Sequence, residues 1–258
     1  MSKPVFQFER ALVREPAPSV VEGISSAGIV PDHERLAIEH RAYSDALSTA
    51  GVDVEVLAPL LDFPDSVFVE DAAFVLPEGA ILLRPGAPSR TGEAAAIAPE
   101  IERHFGPVER VESGMIDGGD ILILPDEILV GLSARTDRQG AEGFADWARR
   151  LGRSVRVFET PPGLLHLKSG CSLLGEELVL ATPDIAGRGL FAGLEVVVTA
   201  EGEANAANAI RVNDHLLITA GAPRSAETLA RHGFTVVALE TGEIEKLDAG
   251  LSCMSLRW

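Results

Sequence analysis

Ile121-Leu122-Ile123-Leu124-Pro125-Asp126-Glu127-Ile128-Leu129-Val130 (residues 121–130) is an apolar run, a tight polar turn and a second apolar run. Two short β-prone runs joined by such a turn predict a β-hairpin. The same pattern recurs at 73–83, with Pro77-Glu78-Gly79 at the turn, at 172–180, with Gly175-Glu176-Glu177, and at 209–218, with Asn213-Asp214. After the first, second and fourth hairpins come similar loops: Gly86-Ala87-Pro88-Ser89-Arg90, Gly131-Leu132-Ser133-Ala134-Arg135 and Gly221-Ala222-Pro223-Arg224. Helical patterns follow those loops at 92–104, 137–151 and 225–232, and strands such as 155–158 and 235–239 close the units. A recurrence of roughly 40 to 50 residues predicts a ring or array of equivalent units.

Both chain ends supply material for a fifth unit. Residues 5–13 alternate as a strand, 16–28 are loop, and Asp32 caps a helix that opens near Pro31 and ends near Gly51. A short strand follows at 52–57. The tail, Leu247-Asp248-Ala249-Gly250-Leu251-Ser252-Cys253-Met254-Ser255-Leu256-Arg257-Trp258, ends in apolar and aromatic residues. Chain ends fray unless tied down, so the tail is expected to be an anchored, strand-like run that holds Cys253, with Asp248 at its start. Closing a ring would require that anchoring. No linker or composition break interrupts 1–258, which predicts a single α/β domain.

Thirty-nine acidic residues against 22 basic ones leave a net charge of −17. Such a field repels phosphate backbones and anionic lipid and favours a cationic small molecule. Two cysteines, Cys171 and Cys253, make no disulfide scaffold, and the six histidines do not cluster at metal-ligand spacing. Met1-Ser2-Lys3-Pro4-Val5 lacks a signal pattern, and no apolar run approaches membrane-spanning length. A cytoplasmic protein with reduced thiols is expected, binding neither nucleic acid nor membrane.

Polar residues gather just before the hairpins. Phe63-Pro64-Asp65-Ser66-Val67-Phe68-Val69-Glu70-Asp71 precedes the first, as hairpin-end charge or as carboxylates gripping a planar cation in a fork. On a strand Glu70 and Asp71 point opposite ways, so both line one pocket only where the backbone bends. Ile116-Asp117-Gly118-Gly119-Asp120 precedes the second, where Gly-Gly permits unusual dihedrals that turn a carboxylate inward. Leu165-His166-Leu167-Lys168-Ser169-Gly170-Cys171 precedes the third; His166 reads as a satisfied core residue or as a general base oriented by a carboxylate. Cys171 reads as structural, and Cys253 as a small buried hydrophobe or a nucleophile. In a closed ring the equivalent positions converge, and Cys, His and carboxylate together form the set used in thiolate catalysis. Arg90 and Arg135 suit a substrate carboxylate, so arginine or a derivative fits.

Phe-Pro-Asp-Ser-Val-Phe-Val-Glu-Asp (63–71), Asp-Gly-Gly-Asp (117–120), Gly-Leu-Ser-Ala-Arg-Thr (131–136), Leu-His-Leu-Lys-Ser-Gly (165–170) and Leu-Ser-Cys-Met-Ser-Leu-Arg (251–257) closely resemble the dimethylarginine dimethylaminohydrolase family, in order over nearly the whole chain. The resemblance implies the pentein fold, a five-bladed ββαβ propeller, in agreement with the repeat. It implies Cys253 as nucleophile, His166 as general acid and base, and Asp117 as the carboxylate orienting the histidine, with Asp120 the next candidate. Glu70 and Asp71 would hold the guanidinium, and Asp65, Arg90 and Arg135 the amino-acid end. Ile24 would lie in a mobile loop over the site, while Phe68, Leu247 and Asp248 would line the pocket. The implied reaction hydrolyses dimethyl- or monomethylarginine to citrulline and an amine through a Cys-bound thiouronium, with neither metal nor organic cofactor, in a monomer or homodimer.

Two rivals differ in the residues they need. A deiminase of the same superfamily typically carries Asp two positions after the histidine and Thr-Arg-Asp at 69–71, where this chain has Lys168 and Val69-Glu70-Asp71. A non-catalytic binding pentein has no use for Cys253, His166 and the carboxylates together.

Overall fold

A computed structural model describes residues 4–258; Met1, Ser2 and Lys3, on which the reading of the N-terminus partly rests, lie outside the described residues. Four units follow the predicted order. The first has β3 (Ala73–Leu76), β4 (Gly79–Leu82), α2 (Glu93–Phe105) and β5 (Glu109–Arg110), and the second β6 (Ile121–Ile123), β7 (Ile128–Leu132), α3 (Arg138–Arg150) and β8 (Val155–Glu159). The third has β9 (Cys171–Leu173), β10 (Leu178–Ala181), the one-turn α4 (Pro183–Ala186) and β11 (Glu195–Val198). The fourth has β12 (Ile210–Val212), β13 (His215–Thr219), α5 (Pro223–Arg231) and β14 (Thr235–Leu239), after which α6 (Gly242–Glu245) leads to the tail. In each unit the hairpin strands pair antiparallel and the strand after the helix pairs parallel to the second.

The fifth unit joins the two ends of the chain. β1 (Arg10–Arg14) pairs parallel with β2 (Asp53–Leu57) across α1 (His33–Thr49), and antiparallel with β15 (Leu256–Arg257) through Ala11↔Arg257 and Leu12↔Leu256. The tail therefore stands where the first strand of every other unit stands. Tyr43 of α1, fully buried, shares a 2.6 Å hydrogen bond with Ser255 and pins it from beneath. As expected, Asp32 caps α1 by accepting from the Arg35 amide at 3.0 Å.

Alternate residues of one strand face different neighbours. Phe74 packs with Ile121, Val130 and Phe144, while Val75 packs with Leu12, Ile101 and Leu256. Leu122 and Leu129 turn the other way, toward Cys171 and Val179, and Leu180 meets Leu216 and Leu229. Ile210, Val212 and Leu217 then meet Ala11, Val13 and Tyr43, which closes the circle. Strands apolar on both faces read in sequence as unbroken apolar runs, which is why the hairpins were legible.

Two expectations need correction. The strand expected over 5–13 begins only at Arg10, because the Asn213 side chain accepts from the Phe8 amide (2.9 Å) and donates to the Phe8 carbonyl (3.1 Å), tying that segment to a turn. Cys253 lies not on a strand but in a 3₁₀ turn, Leu251–Met254; only Leu256–Arg257 is strand.

Leu256 is 4% exposed between two sheets. Leu256→Ala is expected to destabilise the fold by about 2–4 kcal/mol, read from urea unfolding with an unchanged m-value.

Candidate active site

A short 3₁₀ turn precedes the first strand of each unit: Val69–Asp71, Gly118–Asp120, Leu167–Ser169, Ala204–Asn208 and Leu251–Met254. The turns pack on one another at one end of the ring. The tight turn is the bend that Glu70 and Asp71 required, but it sends the two carboxylates to opposite sides. Asp71 faces the cavity lined by His166 and Cys253. Glu70 faces away, accepting from Lys168 Nζ and, at 3.0 Å, from Ser252 Oγ. Of the two carboxylates expected at the guanidinium, Asp71 lines the cavity and Glu70 stands in the partition behind it.

Asp117, with no exposure, accepts at Oδ1 from the Gly86 amide (2.7 Å) and pairs at Oδ2 with His166 Nε2 (3.0 Å). Gly118 and Gly119 have ordinary negative φ, so unusual dihedrals are not their purpose. They are needed for space: a Cβ on Gly118 would lie 1.9 Å from the Glu70 carbonyl, and one on Gly119 2.7 Å from His166 Nδ1. Asp120 does not touch the ring. It accepts from Ser133 Oγ, Thr136 Oγ1 and, at 2.9 Å, the Leu167 amide, which fixes the backbone beside the histidine.

Burial disfavours the His166 imidazolium, but Asp117, Asp71 and Asp120 outweigh it and raise its pKa to about 9. Burial, reinforced by Glu70 and Asp71, pushes the Cys253 thiol up to about 12. At neutral pH the resting pair is imidazolium and thiol. Burial raises Asp71, yet the Arg90 guanidinium prevails and holds it below the usual carboxylate range.

The comparisons agree with this geometry. The arginine deiminase family model matches residues 60–216. The chain is 39% identical over 254 residues to the N(G),N(G)-dimethylarginine dimethylaminohydrolase of Pseudomonas aeruginosa, covering 97% of this chain and 100% of that one. It is 36% identical over 259 residues to the Streptomyces coelicolor enzyme of that name, covering 96% of each. A solved structure of the Pseudomonas aeruginosa enzyme, a cysteine-to-serine mutant complexed with citrulline, matches with a TM-score of 0.95 at 38% identity, over 98% of this chain and 100% of that one. The chain belongs to the dimethylarginine dimethylaminohydrolase family.

In this family member the remaining expected residues frame the cavity: Ile24, Asp65, Phe68, Arg90, Arg135, Leu247 and Asp248 all line it. Arg90 is less free than expected. Its Nη1 donates to Asp71 (2.6 Å), its Nε and Nη2 to Glu93 (3.0 and 2.7 Å) and its Nη2 to the Phe68 carbonyl (2.8 Å), so its first task is to hold Asp71. Arg135 is the less committed guanidinium, 4.0 Å from Asp117. The loop closes over the site: Asp65 accepts from the Ile24 amide (3.0 Å), and Asp248, at a left-handed φ of 56°, accepts from the Ser26 amide and hydroxyl (2.6 and 2.7 Å). The cavity beneath measures about 30 Å³. One water needs roughly 10–15 Å³ by this measure, so the loop must open to admit an amino acid.

Asp71, Asp117 and His166 place ligand atoms within 4.8 Å of one another, as a metal would require. Each is already committed: Asp71 to Arg90 and the Gly119 amide, and Asp117 to Gly86 and His166. A ligating histidine must also be neutral, which runs against its raised pKa. The donor set fits an ion-paired network rather than a metal.

Sequence reading missed Glu93, Lys168 as the partner of Glu70, Ser26, and Asn208. Asn208 accepts from the Ser252 amide (2.9 Å) and donates to Ser252 Oγ (3.1 Å) and the Lys168 carbonyl (2.8 Å), bracing the cysteine turn. Its signal was available, since it stands at the start of the fourth hairpin, where the other units carry their polar residues.

Asp117→Asn preserves the acceptor for Gly86 and removes the charge on His166. Turnover is expected to fall by about 10⁴-fold, the loss from neutralising a triad carboxylate, and the His166 pKa, followed by NMR, to drop from about 9. An unmoved pKa would transfer the role to Asp120.

Proposed function

We propose that this chain hydrolyses Nω,Nω-dimethylarginine, and the monomethyl form, to citrulline and dimethylamine or methylamine. The observation that carries this reading is the buried cavity shared by the Cys253 thiol, the His166 imidazolium and the Asp71 carboxylate. The family relationship supports it. Asp71 holds the substrate guanidinium, and Arg135, with the one Nη1 hydrogen that Arg90 has left, holds the carboxylate. Asp65 holds the amino group once Ile24 has moved away.

A cation in the cavity opposes the two carboxylates that raise the thiol pKa, so substrate binding favours loss of the thiol proton to solvent, His166 being already protonated. The Cys253 thiolate adds to the guanidinium carbon. The carbon–nitrogen bond to the methylated nitrogen breaks as the His166 imidazolium delivers its proton to the departing amine. A thiouronium remains on Cys253, and His166 is now neutral. It takes a proton from water, the hydroxide adds to the same carbon, and the carbon–sulfur bond breaks as the new hydroxyl gives up its proton to solvent, releasing citrulline and thiolate. Asp117 keeps the ring oriented through both transfers.

In this reading residues 1–258 form one catalytic domain, since the site draws on residues from Ile24 to Cys253. A cytoplasmic location suits the two free thiols, and the protein works as a monomer or homodimer. Among the described residues no helix is long and apolar enough to cross a membrane.

Incubation with dimethylarginine should release citrulline and dimethylamine in equal amounts, and arginine should react far more slowly. Cys253→Ser should abolish turnover, because serine has no comparable anion near neutral pH. Cys171→Ser should remain active: Cys171 is buried, donates to the Leu167 carbonyl and titrates only at about 12. Ammonia from arginine as the main product would make the chain a deiminase. An acid-trapped adduct on the Cys171 peptide would reassign the nucleophile.

Arg135→Ala should weaken use of methylarginine by about tenfold or more, the worth of a charge-assisted contact. A decarboxylated analogue should be affected much less. Equal losses on both substrates would make Arg135 structural.

A further inference from the structure

Behind the Glu70–Lys168 partition lies a second cavity, of about 120 Å³. By the measure above it could hold several waters or one small ion. Strands β3, β6, β9, β12 and β15, the first of each sheet, all contribute to its wall, which places it on the axis of the ring. The two cavities meet at consecutive residues: Glu70 and Ser252 face the rear one, Asp71 and Cys253 the front.

The rear wall has the opposite charge to the rest of the protein. Lys168, Arg211 and Arg257 line it with Glu70 as the one acid, a net charge of +2 (three minus one) in a chain of −17. The guanidinium faces are covered by aromatic rings: Arg211 lies 3.8 Å from the Phe6 centroid and Arg257 5.6 Å from that of Phe8. Their edges are only partly used. Arg211 donates through Nε to the Asn213 carbonyl (3.2 Å) and through Nη1 to the Leu174 carbonyl (2.7 Å), which leaves Nη2. Among the described residues Arg257 Nε is buried without a partner, while its Nη1 donates to Ser255 Oγ (2.5 Å) and its Nη2 stands 4.0 Å from Glu70. Ser172 Oγ, on a residue 7% exposed, likewise has no partner. Buried donors such as Arg257 Nε and Ser172 Oγ are normally satisfied; the three cations are half-buried, and Asp214 and Glu176 act on Arg211 from outside the cavity. Donors of this kind, around one cavity and with too little negative charge among them, match a small anion that carries several acceptor oxygens.

We propose that this rear cavity binds a small oxyanion of the phosphate or carboxylate type, through Arg211, Arg257 and Lys168, with Ser172 as a neutral donor. The site is separate from the front cavity and is divided from it by the Glu70–Lys168 pair and by Ser252, the residue before Cys253. Its occupancy is therefore independent of whether the chain turns over methylarginine.

The test is calorimetric titration of the full chain with inorganic phosphate, with ionic strength held constant by sodium chloride. One phosphate is expected to bind per chain. Arg211→Met keeps an apolar stem over Phe6 and removes the guanidinium, and should weaken binding by about tenfold. Ser172→Ala should weaken it by about threefold. Melting temperatures without phosphate identify the variants that fold; if Arg211→Met does not fold, Ser172→Ala decides alone. Phosphate binding should persist in saturating citrulline. No binding by the wild type, unchanged binding by the folded variants, or displacement by citrulline, which would put the anion at the front cavity, overturns the proposal.

Discussion

The antiparallel pairing of Leu256 with Leu12 is the constraint on which the rest of the molecule depends. It supplies the first strand of the one sheet that the chain cannot complete locally, and so turns a row of four units into a ring. The cysteine turn lies immediately before that strand. It is braced by Asn208 from the fourth unit, by Glu70 from the first and by Tyr43 beneath Ser255. Ring closure and placement of the nucleophile are therefore the same event. Because five apolar clusters, not one core, join neighbouring sheets, loosening the seam affects the packing of two sheets at once.

Within the ring the difficulty is electrostatic. Glu70, Asp71, Asp117 and Asp120 are all buried, three of them within reach of one histidine. Each carboxylate is answered separately: Lys168 for Glu70, Arg90 for Asp71, His166 for Asp117, and two hydroxyls and an amide for Asp120. The remaining negative field raises the pKa of both His166 and Cys253 and so favours their protonated forms. Glu93, pushed up to about 7 by burial, completes the cage around Arg90.

The fold was legible in the sequence because strands apolar on both faces leave unbroken runs, and polar turns separate those runs at regular intervals. The helix cap at Asp32 was legible for a similarly local reason: the acceptor side chain and the amide it serves are three residues apart. The sequence also placed Asp117 and His166 at equivalent starts of two units and Cys253 in the tail, while their separate roles were implied by the family resemblance.

Which side a carboxylate faces was decided only by the tertiary structure. Glu70 and Asp71 are neighbours in sequence, and a 3₁₀ turn sends one to the rear and one to the site; that turn is held by contacts with segments 98 and 182 residues away. The space that Gly118 and Gly119 clear for Glu70 and His166 arises in the same way. Local sequence determines which conformations a segment prefers and which face is apolar. It carries no information on the charge or bulk that a distant segment brings against it, and in this ring Glu70, Asp71, Asp117 and His166 all have partners from another unit.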